Sequence, residues 1–199
     1  MTKRPFMVEF IGTPEAGKTT TILSLEKRFH ITPYTIARIR ESAEVVPTEL
    51  PKGSWHACLY MKYHLLCNML VNFYQPNDIT LIDKGLYDSK FWGKFFLEKG
   101  ACSQEQYNTY MATYEHLCFN SDLVIALTTC PTEAIRRRGG EGRIVTLPFV
   151  EKYNRCFLDF YQSITDVPKI LIDTTGIPQE QIVSSVFHMI LSYYEKNTS

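Results

Sequence analysis

Apolar positions along this chain follow two rhythms that take turns. Short runs of β-branched and aromatic residues read as strands: the segment around Val8–Ile11, residues 31–40 (ITPYTIARIR), 79–85 (ITLIDKG), 122–128 (DLVIALT) and 169–173 (KILID). Between them lie longer stretches suited to helices. TTTILSLEKRF ends near Arg28, and Trp55–Tyr74 has neither Pro nor Gly and is apolar nearly all round. Ser89–Glu98 and Ser103–Asn120 follow, then PTEAIRRR, Leu147–Ser163 and Gln179–Tyr194. Ser103 with Gln106 fits a capping box, Pro131 suits a first helical turn, and the Pro- and Gly-bearing VPTELPKGS reads as a loop. Strands that alternate with helices predict an α/β fold, a parallel sheet covered on both faces. No repeat, low-complexity tract or second domain interrupts residues 1–199, so one domain is expected.

The first strand leads into the most informative stretch. Gly12, Thr13, Pro14, Glu15, Ala16, Gly17, Lys18 and Thr19 fit G-x-x-x-x-G-K-[ST], with Thr20 next in the helix that opens there. Gly12 and Gly17 permit a tight turn that aims backbone N–H groups inward. Lys18 brings a positive charge to β- and γ-phosphates, Thr19 offers a hydroxyl to Mg²⁺, and the helix N-terminus faces the same point. A glycine turn that matches by accident is the bland alternative, and the flanking strand and helix argue against it. Glu15 is an unusual residue beside phosphates; it must point outward, hydrogen-bond the substrate or meet the metal's water shell.

Composition narrows the partners. Lys+Arg and Asp+Glu both number 21, so an anion site must be local, and neither nucleic acid nor a membrane is an expected partner. The 6 cysteines are scattered without a C-x-x-C pair, which suggests neither zinc nor a disulfide framework. No run approaches 18 apolar residues and MTKRPFMVEF lacks a signal-peptide core, so a soluble, cytoplasmic protein is expected.

Further residues suit phosphate chemistry. Asp83 closes an apolar strand, where a carboxylate can hold Mg²⁺ through water or serve only as a turn or cap residue. Arg136, Arg137, Arg138 and Arg143 surround Gly139, Gly140 and Gly142; they read as a solvated helix end or as a mobile arginine loop that follows charge on a transferring phosphoryl group. Glu41 is a candidate general base or hydroxyl anchor, or else a surface ion-pair partner, with Arg40 a possible anion clamp. Trp55, Tyr60, Tyr63 and His64 offer a stacking surface or ordinary core.

Taken together, GTPEAGKTT, DKGLYDS (83–89), PTEAIRRRGGEGR and KILIDTTGIPQEQI resemble the P-loop nucleoside and nucleotide kinases, in particular the thymidylate kinase and deoxynucleoside kinase branch. The resemblance implies a three-layer α/β/α fold with five parallel strands ordered 2-3-1-4-5 and a lid over about 136–146. It further implies that ATP is the phosphoryl donor and that Lys18 grips its phosphates, while Thr19 and Asp83 organise Mg²⁺. Arg138 and Arg143 would be lid arginines, with Arg136 beside the nucleotide, Asp173 to Gly176, Thr175 included, would border the adenine, and Glu41 would take the proton of the sugar hydroxyl. Lys84 stands where the family has Arg, and Glu41-Ser42 where deoxynucleoside kinases have Glu-Pro. The expected acceptor is a nucleoside or nucleoside monophosphate, and a homodimer is compatible with this reading. A regulatory ATPase without a small-molecule acceptor is the alternative.

Overall fold

The strand that precedes the glycine loop is buried along its whole length, and the sheet is built outward from it. In the computed structural model, which describes residues 4–51, 53–117, 119–142 and 145–198, β1 (Phe6–Gly12) is central. It pairs in parallel with β3 (Ile79–Asp83) on one side and β4 (Leu123–Thr128) on the other. The edges are β2 (Ile36–Ile39), against β3, and β5 (Lys169–Asp173), against β4, which gives the order β2-β3-β1-β4-β5. That is the strand order implied by the family resemblance.

Alternation along β1 sorts its side chains onto two faces. Phe6, Val8 and Phe10 pack with Ile22, Leu25 and Phe29 of α1 (Lys18–Phe29) and with Val186 and Ile190 of α7 (Gln179–Thr198). On the opposite face Met7 joins Leu65 and Met69 of α2 (Trp55–Phe73). Ile11, on that same face, meets Phe91 and Phe95 of α3 (Leu86–Glu98) and Tyr153 and Phe157 of α6 (Leu147–Ser163). The shorter helices α4 (Gln104–Ala112) and α5 (Pro131–Arg138) complete the surround. Among the described residues, no helix is long and apolar enough to cross a membrane.

Besides shifts at the ends of β3 and α7, three elements differ from the sequence reading, each for a local reason. The second strand spans four residues instead of ten because residues 30–33 form a turn, in which Thr32 N–H bonds Phe29 O and Pro33 has no N–H to give a ladder. Helix α4 keeps its capping box but stops at Ala112; there Tyr114 N–H and Glu115 N–H reach back only three residues, and Tyr114 Oη is drawn to Ser89 Oγ at 2.7 Å. Helix α3 begins at Leu86, three residues early, because its first amides find an acceptor in the sheet. A 3-10 turn over Ser42–Val45 follows β2 and carries Glu41 at its start.

Because every strand runs the same way, their carboxyl ends share one edge. Phe10 pairs with Asp83, Gly12 with Leu127 and Thr128 with Asp173. This register brings the glycine loop, Asp83 and the loop after β5 into one neighbourhood, the usual ligand position in open α/β sheets.

Candidate functional site

The glycine loop is shaped by contacts that leave no choice of residue at its start. A Cβ on Gly12, whose φ is 143°, would stand 1.8 Å from the carbonyl oxygen of Leu127, so only glycine lets β1 run this close to β4. Thr13 N–H donates to that same carbonyl at 3.0 Å, and Ala16 is buried beneath the turn. Gly17, left-handed at φ 87°, heads α1. Pro14 is half-buried and Thr20 exposed on the outer wall.

Lys18 is 7% exposed, and its ammonium donates back across the loop to the carbonyls of Gly12 (3.1 Å) and Thr13 (2.7 Å). Burial lowers its pKa to about 8, and the charge of Lys84 pushes the same way against Asp88, Asp83 and Glu41. Thr19 Oγ1 donates to Asp83 Oδ2 at 2.7 Å. The other carboxylate oxygen, Asp83 Oδ1, is buried and accepts no hydrogen bond. Burial raises the Asp83 pKa, opposed by the Thr19 hydrogen bond.

Immediately after Asp83 the backbone bends sharply. Lys84 has φ 61°, a left-handed conformation that costs a lysine on the order of 1 kcal/mol and persists only where its surroundings enforce it. Here Lys84 N–H is fixed to Phe10 O at 3.0 Å, and the side chain is ion-paired with Glu41. Burial alone would lower the Lys84 pKa, but Asp88, Glu41 and Asp83 together raise it. One helical turn on, Asp88 is 4% exposed and its Oδ1 has no partner; burial lifts its pKa to about 6, against the pull of Lys84 and Lys18.

Two cavities meet at this bend. One, of about 400 Å³, is bounded by the glycine loop with Lys18 and Thr19 below and by Phe149 and Tyr153 of α6 opposite. The second, of about 260 Å³, has apolar walls that include Met61, Leu65 and Phe96, with Asp88, Ser89 and Tyr110 as polar groups. Glu41, Lys84 and Trp92 line both, so the Glu41–Lys84 pair stands at the passage between them.

The arginine segment divides its labour differently from the sequence expectation. Arg136 is turned away to Glu133, two bonds at 2.6 and 2.7 Å, with its side chain 74% exposed. Arg137 is the one stitched into the site: it donates to Thr174 Oγ1 (3.0 Å), Thr174 O (2.7 Å) and Glu15 O (3.2 Å). Arg138 bridges to Glu15 Oε1 at 3.3 Å. Glu15 itself is left-handed (φ 56°) and directs its carboxylate outward to that arginine, the first of the options open in the sequence. Arg143 lies outside the described residues. Beside the loop, Asp173 Oδ1 accepts from Thr175 N–H and Oγ1 at 2.9 and 2.6 Å, and Thr175 Oγ1 accepts from Cys130 N–H at 2.8 Å, which ties the β4 and β5 ends together.

Lys18, Thr19, Asp83 and Glu41 are thus brought together, while Arg136 is not. The aromatic candidates do not gather there either: Trp55 is core against Phe96 and Tyr110, Tyr60 stacks on His64, and Tyr63 is exposed. Trp92, Phe96, Tyr110, Phe149 and Tyr153 take the lining positions instead. Sequence reasoning also passed over Asp88, whose only signal was an acidic residue in the first turn of a helix after a strand ending in Asp.

No family model matches this sequence, and no curated protein does. Solved structures do match over nearly the whole chain. The deoxyadenosine kinase of M. mycoides with its products dCMP and a flexible dCDP bound is 21% identical, covers 94% of this chain and 99% of its own, and superposes with a TM-score of 0.73. The same enzyme with bound dATP gives 20%, 93% and 98%, and 0.70. A thymidylate kinase from Candida albicans gives 15% identity, 96% and 94% coverage, and 0.71. Five parallel strands in this order, with the glycine loop after the central one, have the fold of the P-loop nucleoside and nucleotide kinases.

Proposed function

We propose that the protein is an ATP-dependent kinase that moves the γ-phosphoryl group of Mg-ATP to a hydroxyl of a nucleoside-sized acceptor. The observation that carries this reading is the pair of cavities joined at Glu41 and Lys84. A phosphate-binding loop alone would serve any nucleotide-dependent protein. A second apolar cavity of about 260 Å³, near the lower end of small-molecule sites, that opens onto the same point is what a transferase needs and a switch protein does not. Kinase folds among the structural neighbours agree with it.

The polar groups favour an uncharged acceptor. Glu41 and Asp88 put two carboxylates on the second cavity, and among the described residues the one ammonium that lines it, Lys84, is engaged by Glu41. A nucleoside monophosphate would place its phosphate against this acidic pair; a hydroxyl group can donate to it. The adenine side of the donor would lie toward Asp173 and Thr175.

Thr19 and Asp83 fit a magnesium ion: a hydroxyl and a carboxylate stand 2.7 Å apart, and the buried Asp83 Oδ1 lacks any partner. No cluster of three acidic, His or Cys ligands exists among the described residues, which suits an ion that keeps water and phosphate in its shell. Bound there, it would neutralise phosphate charge. Lys18 would leave the Gly12 and Thr13 carbonyls for the β- and γ-phosphates, joined by the inward amides of the loop. Glu41 would accept the hydroxyl proton as the acceptor oxygen bonds to phosphorus and the β–γ bridging bond breaks, with ADP leaving. Lys84 and a lid arginine, Arg138 or Arg143, would hold charge on the moving group. Phe149, Tyr153 and Trp92 would exclude water.

The test is ADP release from Mg-ATP in the presence of nucleosides, nucleoside monophosphates and small alcohols in turn. Stimulation by a nucleoside above a monophosphate is expected. ATP hydrolysis that no acceptor stimulates would return the protein to the regulatory ATPase reading.

A further inference from the structure

Glu9 is a carboxylate in the middle of the central strand, 0% exposed, with strands on both sides. It lines neither cavity. Its position on β1 puts it on the face shared by Met7 and Ile11, where every other β1 side chain is apolar. Such a group persists only if its oxygens are satisfied. Oε1 accepts from the N–H groups of Tyr87 (2.8 Å) and Asp88 (3.0 Å), and Oε2 accepts from Ser121 Oγ (2.8 Å).

Those two amides are the second and third of α3, the ones a helix normally gives to the side chain of its own capping residue. The capping residue here is Gly85, which has no side chain to offer. A Cβ on Gly85 would stand 2.6 Å from Glu9 Cδ, so the missing side chain is what admits the carboxylate. The helix is therefore capped from the sheet; burial lifts the Glu9 pKa to about 7, against the hydrogen bonds from Asp88, Ser121 and Tyr87 that favour the charged form at the positive end of the helix dipole. Just upstream, Phe10 O takes the N–H of the left-handed Lys84. Consecutive residues of β1 thus grip both ends of the bend 84–88.

We propose that Glu9 is a positioning residue for the transfer reaction, a remote helix cap that fixes where Lys84, Asp88 and Ser89 stand in the acceptor cavity. The proposal rests on the kinase reading for its activity readout. Glu9 touches no reacting atom; it acts through the backbone of α3. By contrast the glycine loop is held through Leu127 and Arg137, and of the residues named around the donor cavity only Lys84 and Trp92 belong to this bend and helix, so the loss of Glu9 should fall more heavily on the acceptor than on the donor.

The experiment compares Glu9→Gln with Glu9→Met by steady-state kinetics, with thermal shift by a nonhydrolysable ATP analogue measured alongside. Gln keeps an amide oxygen for Tyr87 and Asp88, and kcat and both KM values should stay within about threefold of wild type. Met fills the space and leaves both amides without an acceptor. Its acceptor KM should rise about tenfold or more, as for other supporting-shell partners, while the ATP-analogue shift is retained. Met kinetics equal to wild type would overturn the proposal, as would equal losses in donor and acceptor binding, which mark general loosening. Should Glu9→Met not fold, Gly85→Ala serves in its place, because its Cβ pushes the intact carboxylate off the amides; the same split in KM is expected, and its absence overturns the proposal. A wild-type protein that binds the analogue yet phosphorylates no acceptor rejects the kinase reading; hydrogen exchange at the Tyr87 and Asp88 amides, fast in Met and slow in Gln, then decides the cap by itself.

Discussion

The two cavities that share Glu41, Lys84 and Trp92 are built by different means. In the proposed reading the donor side is centred on one continuous stretch, Gly12 to Thr20, whose main chain turns tightly against Leu127, with Phe149 and Tyr153 of α6 opposite. The acceptor side is made of side chains from separate elements, with Glu41 after β2, Met61 and Leu65 on α2, Asp88 to Phe96 on α3 and Tyr110 on α4. A backbone cradle tolerates little variation and so leaves a motif. A side-chain wall can be filled in many ways and leaves none.

That contrast sets how much could be read in advance. The parallel sheet and the glycine loop follow from local patterns, because each needs specific residue types at fixed spacing, whereas the strand order and the pairing of Thr19 with Asp83 were implied only by the resemblance of several motifs to one family. The acceptor wall does not, since Trp55, Tyr60, Tyr63 and His64 share the helical spacing of lining residues while α2 presents Ala57, Met61 and Leu65 instead. The arginine run was legible as a group and not by member: whether Arg136 or Arg137 turns toward Thr174 depends on Glu133, which holds both. Nothing in the sequence pattern singles out Glu9 within the first strand, because its meaning lies seventy-odd residues away at Tyr87 and Asp88.

If the donor side is a fixed cradle, the buried ammonium at its centre should matter most. Lys18→Ala is expected to lower kcat/KM by at least about 10³-fold, the scale of losing a preorganised charge at the transition state. Melting should hold or rise, since a buried ammonium is removed. Turnover that survives the change in ADP-release assays would break the assignment of the loop.

Glu41 stands on the border, and Gln there separates its two possible roles. Proton removal from a hydroxyl acceptor is worth about 10²–10³-fold, so Glu41→Gln should slow nucleoside phosphorylation by that much and any monophosphate far less. Equal slowing of both would assign Glu41 to holding Lys84 and not to the proton. Asp83→Asn is a smaller perturbation, about 10- to 100-fold in kcat with a shift to higher magnesium requirement, while ATP-analogue binding stays measurable. An unchanged rate would make Asp83 only the partner of Thr19.

The acceptor wall should respond more softly, and Lys62 shows why. It lies 1% exposed behind Tyr110, donating to Tyr110 O and Thr113 Oγ1 at 2.7 Å each, with its ammonium 4.2 Å from the Tyr110 ring centre. Tyr63, Tyr114 and Cys58 also face it, and among the described residues no carboxylate pairs with it. Burial lowers its pKa from 10.5 to about 8. Below pH 8 the lysine is charged in both the folded and unfolded chain, and the burial penalty is fully present. Between about 8 and 10.5 the unfolded chain holds a proton that the folded protein has released, so this group makes stability rise with pH. Lys62→Met removes that contribution. The melting difference, wild type minus variant, should therefore grow in favour of wild type across that window, and a difference that stays flat would show that the ammonium is not desolvated behind the wall. Because Lys62 lines neither cavity, the acceptor KM should move by no more than about threefold, well short of the expected effect of Glu9→Met. A wall backed by a buried cation and a helix capped from the sheet would then differ in kind: the cation makes stability depend on pH, and the cap contributes the placement of groups that meet the substrate.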